Sequence, residues 1–258
     1  MSLLGFGTMN LFDKNECAKV LKDAYEAGYR LFDCAQIYGN EDVVGYALKE
    51  AKIPREEIFL TTKGWFTNFE GEDVRKSIKE SMEKLQTSYL DWVLIHRSYG
   101  NVYHAYRELE KMVEEGLIKN IGISNYQDSQ YIDLIHFNKI VPVLNQIKVI
   151  MKCQRKQMQE RMKKHGTLLQ GYQVFGKEET LPFYENEQVK QIALKYGKTT
   201  RQIVMKYLVQ NDISVISRLM EKAWMKENLD LFDFKLNDHE MEYLAIFDDP
   251  KYNTRSSQ

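Results

Sequence analysis

Cysteine and proline are scarce in this sequence of 258 residues, and neither forms a recognisable motif. Cys17, Cys34 and Cys153 are far apart and include no C-x-x-C pair, which argues against a disulfide framework and favours a reducing compartment. The four prolines are scattered, and no Pro/Gly/Ser-rich linker or low-complexity tract divides the chain. We therefore predict a single domain spanning residues 1–258.

Excess charge, paired histidines and long apolar runs are also missing. The formal net charge is -1, from 36 Lys and Arg against 37 Asp and Glu spread along the chain, which leaves no basic patch for nucleic acid. The five histidines show no H-x-x-x-H pairing and no nearby thiolate at ligand spacing, so we predict no metal site. No apolar run approaches the roughly 18 residues of a membrane span, and residues 1–10 show no basic leader before an apolar stretch. We expect a cytoplasmic monomer or weak oligomer whose partner is a small molecule.

Short apolar runs alternate with stretches of helical period eight times along the chain. Gly28, Gly116 and Gly166 each follow a helical stretch and precede an apolar run, as helix-ending glycines do. The predicted helical segments include Asn15–Ala27, Asp73–Leu85, Ala105–Glu115, Gln127–Phe137, Lys156–His165 and Thr200–Gln210. The predicted strands are Leu3–Thr8, Tyr29–Ala35, Ile58–Lys63, Tyr89–His96, Lys119–Asn125, Val141–Val149, Thr167–Val174 and Ile213–Arg218.

Strict alternation of strands and helices predicts an α/β fold with a parallel sheet. A doubly wound open sheet is the alternative, but it usually carries G-x-G-x-x-G after its first strand, and Gly5-Phe6-Gly7-Thr8-Met9-Asn10 lacks the last glycine. The length also suits one barrel. We therefore favour a (β/α)8 TIM barrel with outer helices.

Polar or ionisable residues end nearly every predicted strand, and in a barrel these ends meet at one rim. Each such residue taken alone is commonly a helix cap, a turn former or a solvated charge. Their repetition around one rim instead predicts a functional site. The residues are Thr8, Asp33, Lys63, His96, Ser124, Asn125, Gln146, Tyr172 and Arg218.

Asp33 and Lys63 lie within or at the end of apolar runs, where an unpaired charge is costly to bury, so we expect them to pair. Tyr38 follows Asp33 by five residues, and we expect the ammonium to lower the pKa of its phenol and make it a usable acid near neutral pH. His96 could hydrogen-bond the substrate oxygen, although a strand-end histidine is more often a satisfied core residue. Trp65 is a candidate for the wall of the substrate pocket, with plain packing as the alternative.

The chain resembles the aldo-keto reductases along essentially its whole length. The resemblance is carried by an ordered set of motifs: Gly5-Phe6-Gly7-Thr8, Gly28-Tyr29-Arg30-Leu31-Phe32-Asp33-Cys34-Ala35 running into Tyr38-Gly39-Asn40-Glu41, Thr62-Lys63, Leu94-Ile95-His96, Ile121-Gly122-Ile123-Ser124-Asn125, Asn145-Gln146, Tyr196-Gly197-Lys198-Thr199 and Lys226-Glu227-Asn228 before Phe232-Asp233-Phe234. Within the family it is most similar to the prokaryotic branch associated with diketogluconate, methylglyoxal and prostaglandin F reduction.

The resemblance implies a catalytic tetrad of Asp33, Tyr38, Lys63 and His96, with Trp65, His96 and Tyr38 at the substrate. It also implies that Ser124, Asn125 and Gln146 hold the nicotinamide carboxamide and that Tyr172 stacks on the ring. These residue types suit those roles, since amides and hydroxyls match a carboxamide and an aromatic face matches a planar ring. The whole implied cofactor-binding set is Gly7, Thr8, Met9, Asp33, Ser124, Asn125, Gln146, Tyr172, Gln173, Phe175, Arg218, Leu219, Trp224, Glu227 and Asn228.

The second half departs from the family pattern at three places that should contact the cofactor. Lys148-Val149-Ile150-Met151 replaces an acidic residue and His-Pro, and Gln173–Val174 lies in a loop that usually contains proline. After the eighth strand, Ser217-Arg218-Leu219 replaces Pro-Lys-Ser, and Trp224 replaces an arginine that helps to hold the adenosine 2′-phosphate. Arg218 can still bind a phosphate, whereas Trp224 cannot replace the missing charge and offers an aromatic face for adenine instead. We expect NADPH as the cofactor, with NADH as the alternative.

Two classes of function follow from the sequence. The first is NAD(P)H-dependent reduction of aldehydes or ketones, with Tyr38 as the general acid. The alternative is a non-catalytic or engineered barrel with an altered or decayed cofactor site, which would act as a binding protein. The complete tetrad favours the reductase, because a decayed enzyme should lose a costly buried Asp–Lys pair first.

Overall fold

Eight parallel strands close into one barrel in the computed structural model, which describes residues 4–71 and 73–253. Each strand pairs with the next along the chain, and β8 pairs with β1 to complete the ring. The predicted (β/α)8 TIM barrel is therefore confirmed. The strands are β1 (Leu4–Gly7), β2 (Leu31–Asp33), β3 (Phe59–Gly64), β4 (Leu90–Ile95), β5 (Ile118–Ser124), β6 (Leu144–Lys148), β7 (Leu168–Tyr172) and β8 (Ser214–Ser217).

Helices cover the outside of the barrel. Those in the part of the chain that the structure describes are α1 (Lys14–Ala27), α2 (Glu41–Glu50), α3 (Asp73–Lys84), α4 (Val102–Glu114), α5 (Asp128–Phe137), α6 (Lys156–Lys163), α7 (Leu181–Glu185), α8 (Glu187–Tyr196), α9 (Thr200–Gln210), α10 (Lys222–Leu229), α11 (Asp238–Ala245) and α12 (Pro250–Asn253). Gln36–Tyr38, Arg55–Glu57, Phe66–Asn68 and Glu178–Thr180 form short 3-10 turns.

The predicted elements are all present, with ends that differ by a few residues. The predicted strands run past the hydrogen-bonded segments because apolar character continues into the loops, as in Val141–Val149 against Leu144–Lys148. Leu3, the first residue of the first predicted strand, lies outside the described residues. The three glycines predicted to end helices all have positive φ, 120° at Gly28, 74° at Gly116 and 76° at Gly166, which confirms their role.

The apolar core has two parts that follow from the alternation of side chains along each strand. Strand side chains that point outward pack under the helices in one extensive cluster. A smaller cluster contains only strand residues and occupies part of the barrel interior: Leu31, Trp92, Leu94, Leu144 and Ile216. Polar side chains collect towards the carboxyl ends of the strands, which we call the barrel mouth.

Among the described residues, no helix combines the length and the apolar character needed to cross a bilayer. Cys17, Cys34 and Cys153 are all buried, and none of the three forms a disulfide. Burial in apolar surroundings raises the pKa of the Cys17 thiol to about 12. These cysteines pack in the interior of the structure, which agrees with the prediction that they form no disulfide framework.

Candidate active site

The barrel mouth brings together side chains from six strands and the loops that follow them. Asp33 ends β2, Lys63 lies one residue before the end of β3, and His96 directly follows β4. Ser124 ends β5, Gln146 is in the middle of β6, and Tyr172 ends β7. Because all strands are parallel, these side chains converge although they are distant in sequence.

A buried ion pair lies at the centre of the mouth. Lys63 Nζ is 2.5 Å from Asp33 Oδ2, and both side chains are almost completely shielded from solvent. The ammonium also donates to the backbone oxygen of Cys34 at 3.0 Å. Burial by itself lowers the pKa of Lys63, but the adjacent Asp33 carboxylate outweighs it and the pKa is raised above its usual value. The predicted pairing is confirmed, and Lys63 is a permanent cation at neutral pH.

Tyr38 reaches this ion pair from the 3-10 turn Gln36–Tyr38 that follows β2. Lys63 Nζ donates a third hydrogen bond to Tyr38 Oη, at 3.3 Å. The expectation that the pKa of the phenol would lie below its usual value is wrong, although the ammonium does act in the expected direction. Burial raises the pKa of Tyr38 above its usual value, and the opposing effect of the Lys63 charge only partly offsets it. The resting phenol therefore keeps its proton.

His96 completes the four-residue group as a neutral imidazole. Its ring stands edge-on to Tyr38, with centroids 6.0 Å apart and an interplanar angle of 86°. Burial and the nearby positive charge of Lys63 lower the pKa of His96 to about 3. Its Nδ1 is buried and has no hydrogen-bond partner among the described residues. Trp65 packs edge-on against the other side of the ring, at 5.3 Å between centroids, so it walls the same space.

The amide and hydroxyl side chains at the mouth form a connected network. Tyr172 Oη donates to Asn125 Oδ1 at 2.7 Å, and Asn125 Nδ2 donates to the backbone oxygen of His96 and to Ser124 Oγ. Ser124 Oγ in turn donates to the backbone oxygen of Gln146 at 2.9 Å. Asn125 has φ of 63°, a left-handed conformation that asparagine tolerates better than most residues. This network fixes the predicted carboxamide-binding side chains relative to His96.

Gln146 links this network to the ion pair. Its Nε2 donates to Asp33 Oδ1 at 2.9 Å and to Gln170 Oε1 at 2.8 Å. Gln170 was not among the predicted site residues, and neither was Asn40, whose side chain holds the β1 loop through the backbone oxygens of Thr8 and Leu11. A signal for Gln170 existed, because it precedes Tyr172 by two residues and therefore shares its face of β7.

The predicted cofactor residues near β1 differ in their exposure to solvent. Thr8 is fully buried, and both its backbone N and its Oγ1 donate to the backbone oxygen of Asp33. Met9 is half exposed. Gly7 adjoins the end of β8, since a Cβ there would lie 3.3 Å from Ile216 and 3.8 Å from Arg218 Cβ.

A second group of predicted cofactor residues lies at β8 and α10, apart from the network of the mouth. Arg218 is exposed and has no ion-pair or hydrogen-bond partner in the part of the chain that the structure describes. Trp224 is also exposed, on α10. Glu227 accepts a hydrogen bond from Thr199 Oγ1, and buried Asn228 lies 3.4 Å from Ser217 Oγ. Leu219 is half-buried. Between described residues, no side-chain hydrogen bond joins this group to the mouth.

The loop residues that we predicted to depart from the family pattern have local packing roles. Lys148 forms an ion pair with Glu179 at 2.9 Å, which joins the end of β6 to the turn after β7. Val149 and Val174 are buried on either side of Gly171, where a Cβ would lie 3.1 Å from both. Gln173 is exposed with φ of 52°, and Phe175 is half-buried with Arg201 over its ring at 5.3 Å. Residues 4–71 and 73–253 contain no cluster of three His, Cys, Asp or Glu side chains arranged to hold a metal ion.

Comparison with known proteins agrees with this geometry. Residues 3–249 match the model of the Aldo/keto reductase family. The 9,11-endoperoxide prostaglandin H2 reductase of Trypanosoma cruzi (strain CL Brener) is 32% identical over 252 residues, which cover 97% of this chain and 89% of that protein. Methylglyoxal reductase DkgA of Escherichia coli O157:H7 is 33% identical over 254 residues, covering 97% and 91%.

Solved structures show the same relationship in three dimensions. MGS-M4, an aldo-keto reductase enzyme from a Medee basin deep-sea metagenome library, superposes with a TM-score of 0.90 at 34% identity, over 96% of this chain and 92% of that one. The family acts on small-molecule carbonyl substrates and generally uses nicotinamide cofactors. This chain is an oxidoreductase with a barrel fold and belongs to the aldo/keto reductase family.

Proposed function

We propose that the protein reduces aldehydes or ketones to alcohols with NADPH and that Tyr38 supplies the proton to the carbonyl oxygen. The observation that carries this proposal is the hydrogen bond from Lys63, held in its buried pair with Asp33, to the phenol of Tyr38. A bound reduced nicotinamide supplies the hydride. Because the relatives are reductases and the polar network of the mouth is complete, a binding protein with a decayed site is not favoured.

Tyr38, Lys63 and Asp33 would have different roles in the transfer of a proton to the carbonyl oxygen. Burial keeps Tyr38 protonated before reaction, so the proton is present when negative charge develops on the oxygen. The alkoxide that forms is far more basic than a phenolate, so transfer from Tyr38 is downhill despite its raised pKa. Lys63 then stabilises the phenolate through the hydrogen bond that it already donates. Asp33 holds Lys63 in place and balances its charge.

We assign to His96 the orientation of the carbonyl group. A pKa of about 3 keeps the imidazole neutral at physiological pH, so it acts as a hydrogen-bonding group and not as a competing acid. Its Nδ1 is sealed among other atoms, which leaves Nε2 as the nitrogen for the substrate. Trp65, packed against the same ring, would form one wall of the substrate pocket.

The donor and acceptor groups of the mouth fit a nicotinamide cofactor. Ser124, Asn125 and Gln146 would hold its carboxamide and Tyr172 its ring, while Gly7, Thr8, Met9, Asp33, Gln173, Phe175, Leu219, Glu227 and Asn228 complete the proposed contacts. NADPH is the proposed form because Arg218 is an exposed guanidinium beside Gly7 with no partner among the described residues. Trp224, also exposed, would lie near the adenosine. NADH is the second candidate, because Arg218 is the single cation predicted to bind the adenosine 2′-phosphate that distinguishes NADPH from NADH.

The decisive experiment follows cofactor absorbance during reduction of methylglyoxal by the wild type and by Tyr38→Phe. We expect Tyr38→Phe to lose about 100-fold or more in kcat, the usual contribution of a general acid. Tyr126→Phe is the matched control and should keep wild-type activity, because the Tyr126 hydroxyl is buried and has no hydrogen-bond partner in residues 4–71 and 73–253. Equal rates for Tyr38→Phe and the wild type would refute the assignment of the acid.

A paired titration of NADPH and NADH against tryptophan fluorescence tests the cofactor. Tighter binding of NADPH is expected if Arg218 grips the 2′-phosphate. Absence of binding of either form below millimolar concentration would support the binding-protein alternative instead. The single domain over residues 1–258, the monomeric or weakly oligomeric state and the cytoplasmic location remain predictions from the sequence.

A further inference from the structure

A chain of polar side chains crosses the barrel interior directly below the ion pair. Gln170 Nε2 donates to Ser214 Oγ at 3.0 Å, and Gln170 Oε1 accepts from Gln146 Nε2 at 2.8 Å. The same Gln146 Nε2 donates to Asp33 Oδ1 at 2.9 Å, and the other oxygen of Asp33 binds Lys63. Five residues from β8, β7, β6, β2 and β3 are thus joined by consecutive hydrogen bonds.

Burial restricts the hydrogen-bond partners available to these linked side chains. Gln170 and Ser214 are each only 1% exposed, and Gln146 and Asp33 are each 3% exposed. A buried amide that loses its partners is destabilising, so each of these groups is held to the partner that it has. An apolar side chain at position 170 would avoid this cost, as Leu94 and Leu144 do elsewhere in the interior.

The chemistry of the partners determines which way the Gln146 amide points. Both groups that it faces, Asp33 Oδ1 and Gln170 Oε1, are acceptors, so only the NH2 end of Gln146 can face them. Gln170 presents its oxygen to that NH2 and donates from its own NH2 to Ser214, whose hydroxyl can serve as acceptor or donor; the Asp33 carboxylate, which only accepts, therefore sets the direction, and Gln170 adds a second contact that holds it. If Gln146 turned over, its oxygen would oppose two oxygens.

The Oε1 atom of Gln146 is left over by this arrangement. No hydrogen bond between described residues reaches it, and it is not among the buried atoms that lack a partner. It is therefore an accessible acceptor at the mouth. Ser124 and Asn125 are already bonded to each other and to their neighbours, so Gln146 Oε1 is the least committed polar atom of the predicted carboxamide site.

We propose that Gln170 is a positioning residue, which fixes the Gln146 amide so that its oxygen faces the cofactor and accepts a hydrogen bond from the carboxamide N–H. Gln170 touches neither cofactor nor substrate and acts through Gln146. The inference rests on the proposed function, because it assumes that a nicotinamide occupies the mouth.

The test compares the binding of two dinucleotides to four proteins. The first is NADPH or NADH, whichever the wild type binds more tightly, and the second is its 3-acetylpyridine analogue, which keeps the carbonyl but has no N–H. Dissociation constants are measured by fluorescence titration for the wild type, Gln170→Met, Ser214→Ala and Gln154→Met. Gln154 is the matched control, because it is another 1%-exposed glutamine whose amide is fully hydrogen-bonded, to Met151, Leu244 and Tyr207.

In the wild type, the analogue should bind about tenfold more weakly than the cofactor, since it leaves Gln146 Oε1 unpaired. Gln170→Met should weaken cofactor binding by about tenfold and reduce the preference for the carboxamide to about threefold or less, because Gln146 is then held only by Asp33. Ser214→Ala should also weaken cofactor binding and reduce the preference for the carboxamide, but by smaller factors than Gln170→Met. Gln154→Met should lower the thermal midpoint but leave the preference as in the wild type.

The results separate this inference from the proposed function. If the wild type binds the cofactor and reduces methylglyoxal but folded Gln170→Met keeps the full preference, the role of Gln170 is overturned and the proposed function stands. If Gln170→Met does not fold, an unchanged preference in Ser214→Ala overturns it equally. If the wild type binds neither dinucleotide, the proposed function and this inference both fail.

Discussion

Replacing Asp33 by asparagine tests how strongly the buried ion pair at the barrel mouth governs stability. The substitution keeps the shape of the side chain but removes the counterion of Lys63, whose side chain is completely buried. The new amide cannot satisfy both of its neighbours. With its NH2 group towards Lys63 it opposes an ammonium, and with its NH2 group towards Gln146 it opposes that residue's own NH2.

The size of the effect follows from what remains around Lys63. Removing one partner of a buried pair costs about 3–5 kcal/mol. Lys63 keeps hydrogen bonds to the Cys34 oxygen and to Tyr38, so we expect about 3 kcal/mol, the lower end of that range. A domain has about 5–15 kcal/mol of stability, so Asp33→Asn should still fold. A barrel of this size should lose about 6–12 °C in thermal midpoint at neutral pH.

The loss should depend on pH in a defined direction. In the wild type the pKa of Lys63 is raised, so its stabilising contribution is complete below the unfolded value of about 10.4. Without Asp33, burial dominates and the pKa of Lys63 falls below its usual value. The unfolded variant then binds more protons than the folded one, so its stability increases as the pH rises towards about 10. The difference between wild type and variant should therefore shrink from pH 6 to pH 9.5.

Thermal unfolding followed by circular dichroism at about pH 6, 7.5 and 9.5 measures this difference. Asp91→Asn is the control: Asp91 is also buried, but its charged partners are Arg55, which does not titrate, and Lys119, which is half exposed. Its destabilisation should stay nearly constant over the same range. A loss in Asp33→Asn that is below about 1 kcal/mol, or that does not change with pH, would refute the reasoning.

Two further predictions concern packing and acid stability. Gly45→Ala should lower the thermal midpoint by a few degrees even though alanine favours helices. The added Cβ would lie 2.2 Å from the Lys84 oxygen and 2.8 Å from the Leu85 backbone. An increased midpoint would contradict this close approach of α2 to the end of α3. The pKa of His96 is about 3 in the folded state against about 6.5 unfolded, so stability is lost as the pH falls through that window. His96→Gln should therefore lose less stability than the wild type between pH 7 and pH 4 in chemical unfolding, and equal losses would show that His96 does not carry this effect.

The sequence determined the architecture because barrel formation depends on a repeated local pattern. Apolar runs alternating with helical periods predict parallel strands and outer helices, and the glycines at 28, 116 and 166 mark where helices end. It also predicted the Asp33–Lys63 pair, since two charges within buried strands of one barrel need each other. Both inferences use only residue type, spacing and the cost of burying a charge.

Only the tertiary structure decided the balance of opposing effects and the contacts inside the barrel. Proximity to Lys63 suggested a lowered pKa for Tyr38, but the amount of surrounding protein decides the desolvation, and it raises that pKa. Gln170 was missed because one polar residue in an apolar run has no partner until distant strands close into a ring around it. A sequence specifies which groups must be paired, whereas pair identities, amide orientations and the degree of burial depend on distances that exist only in the closed barrel.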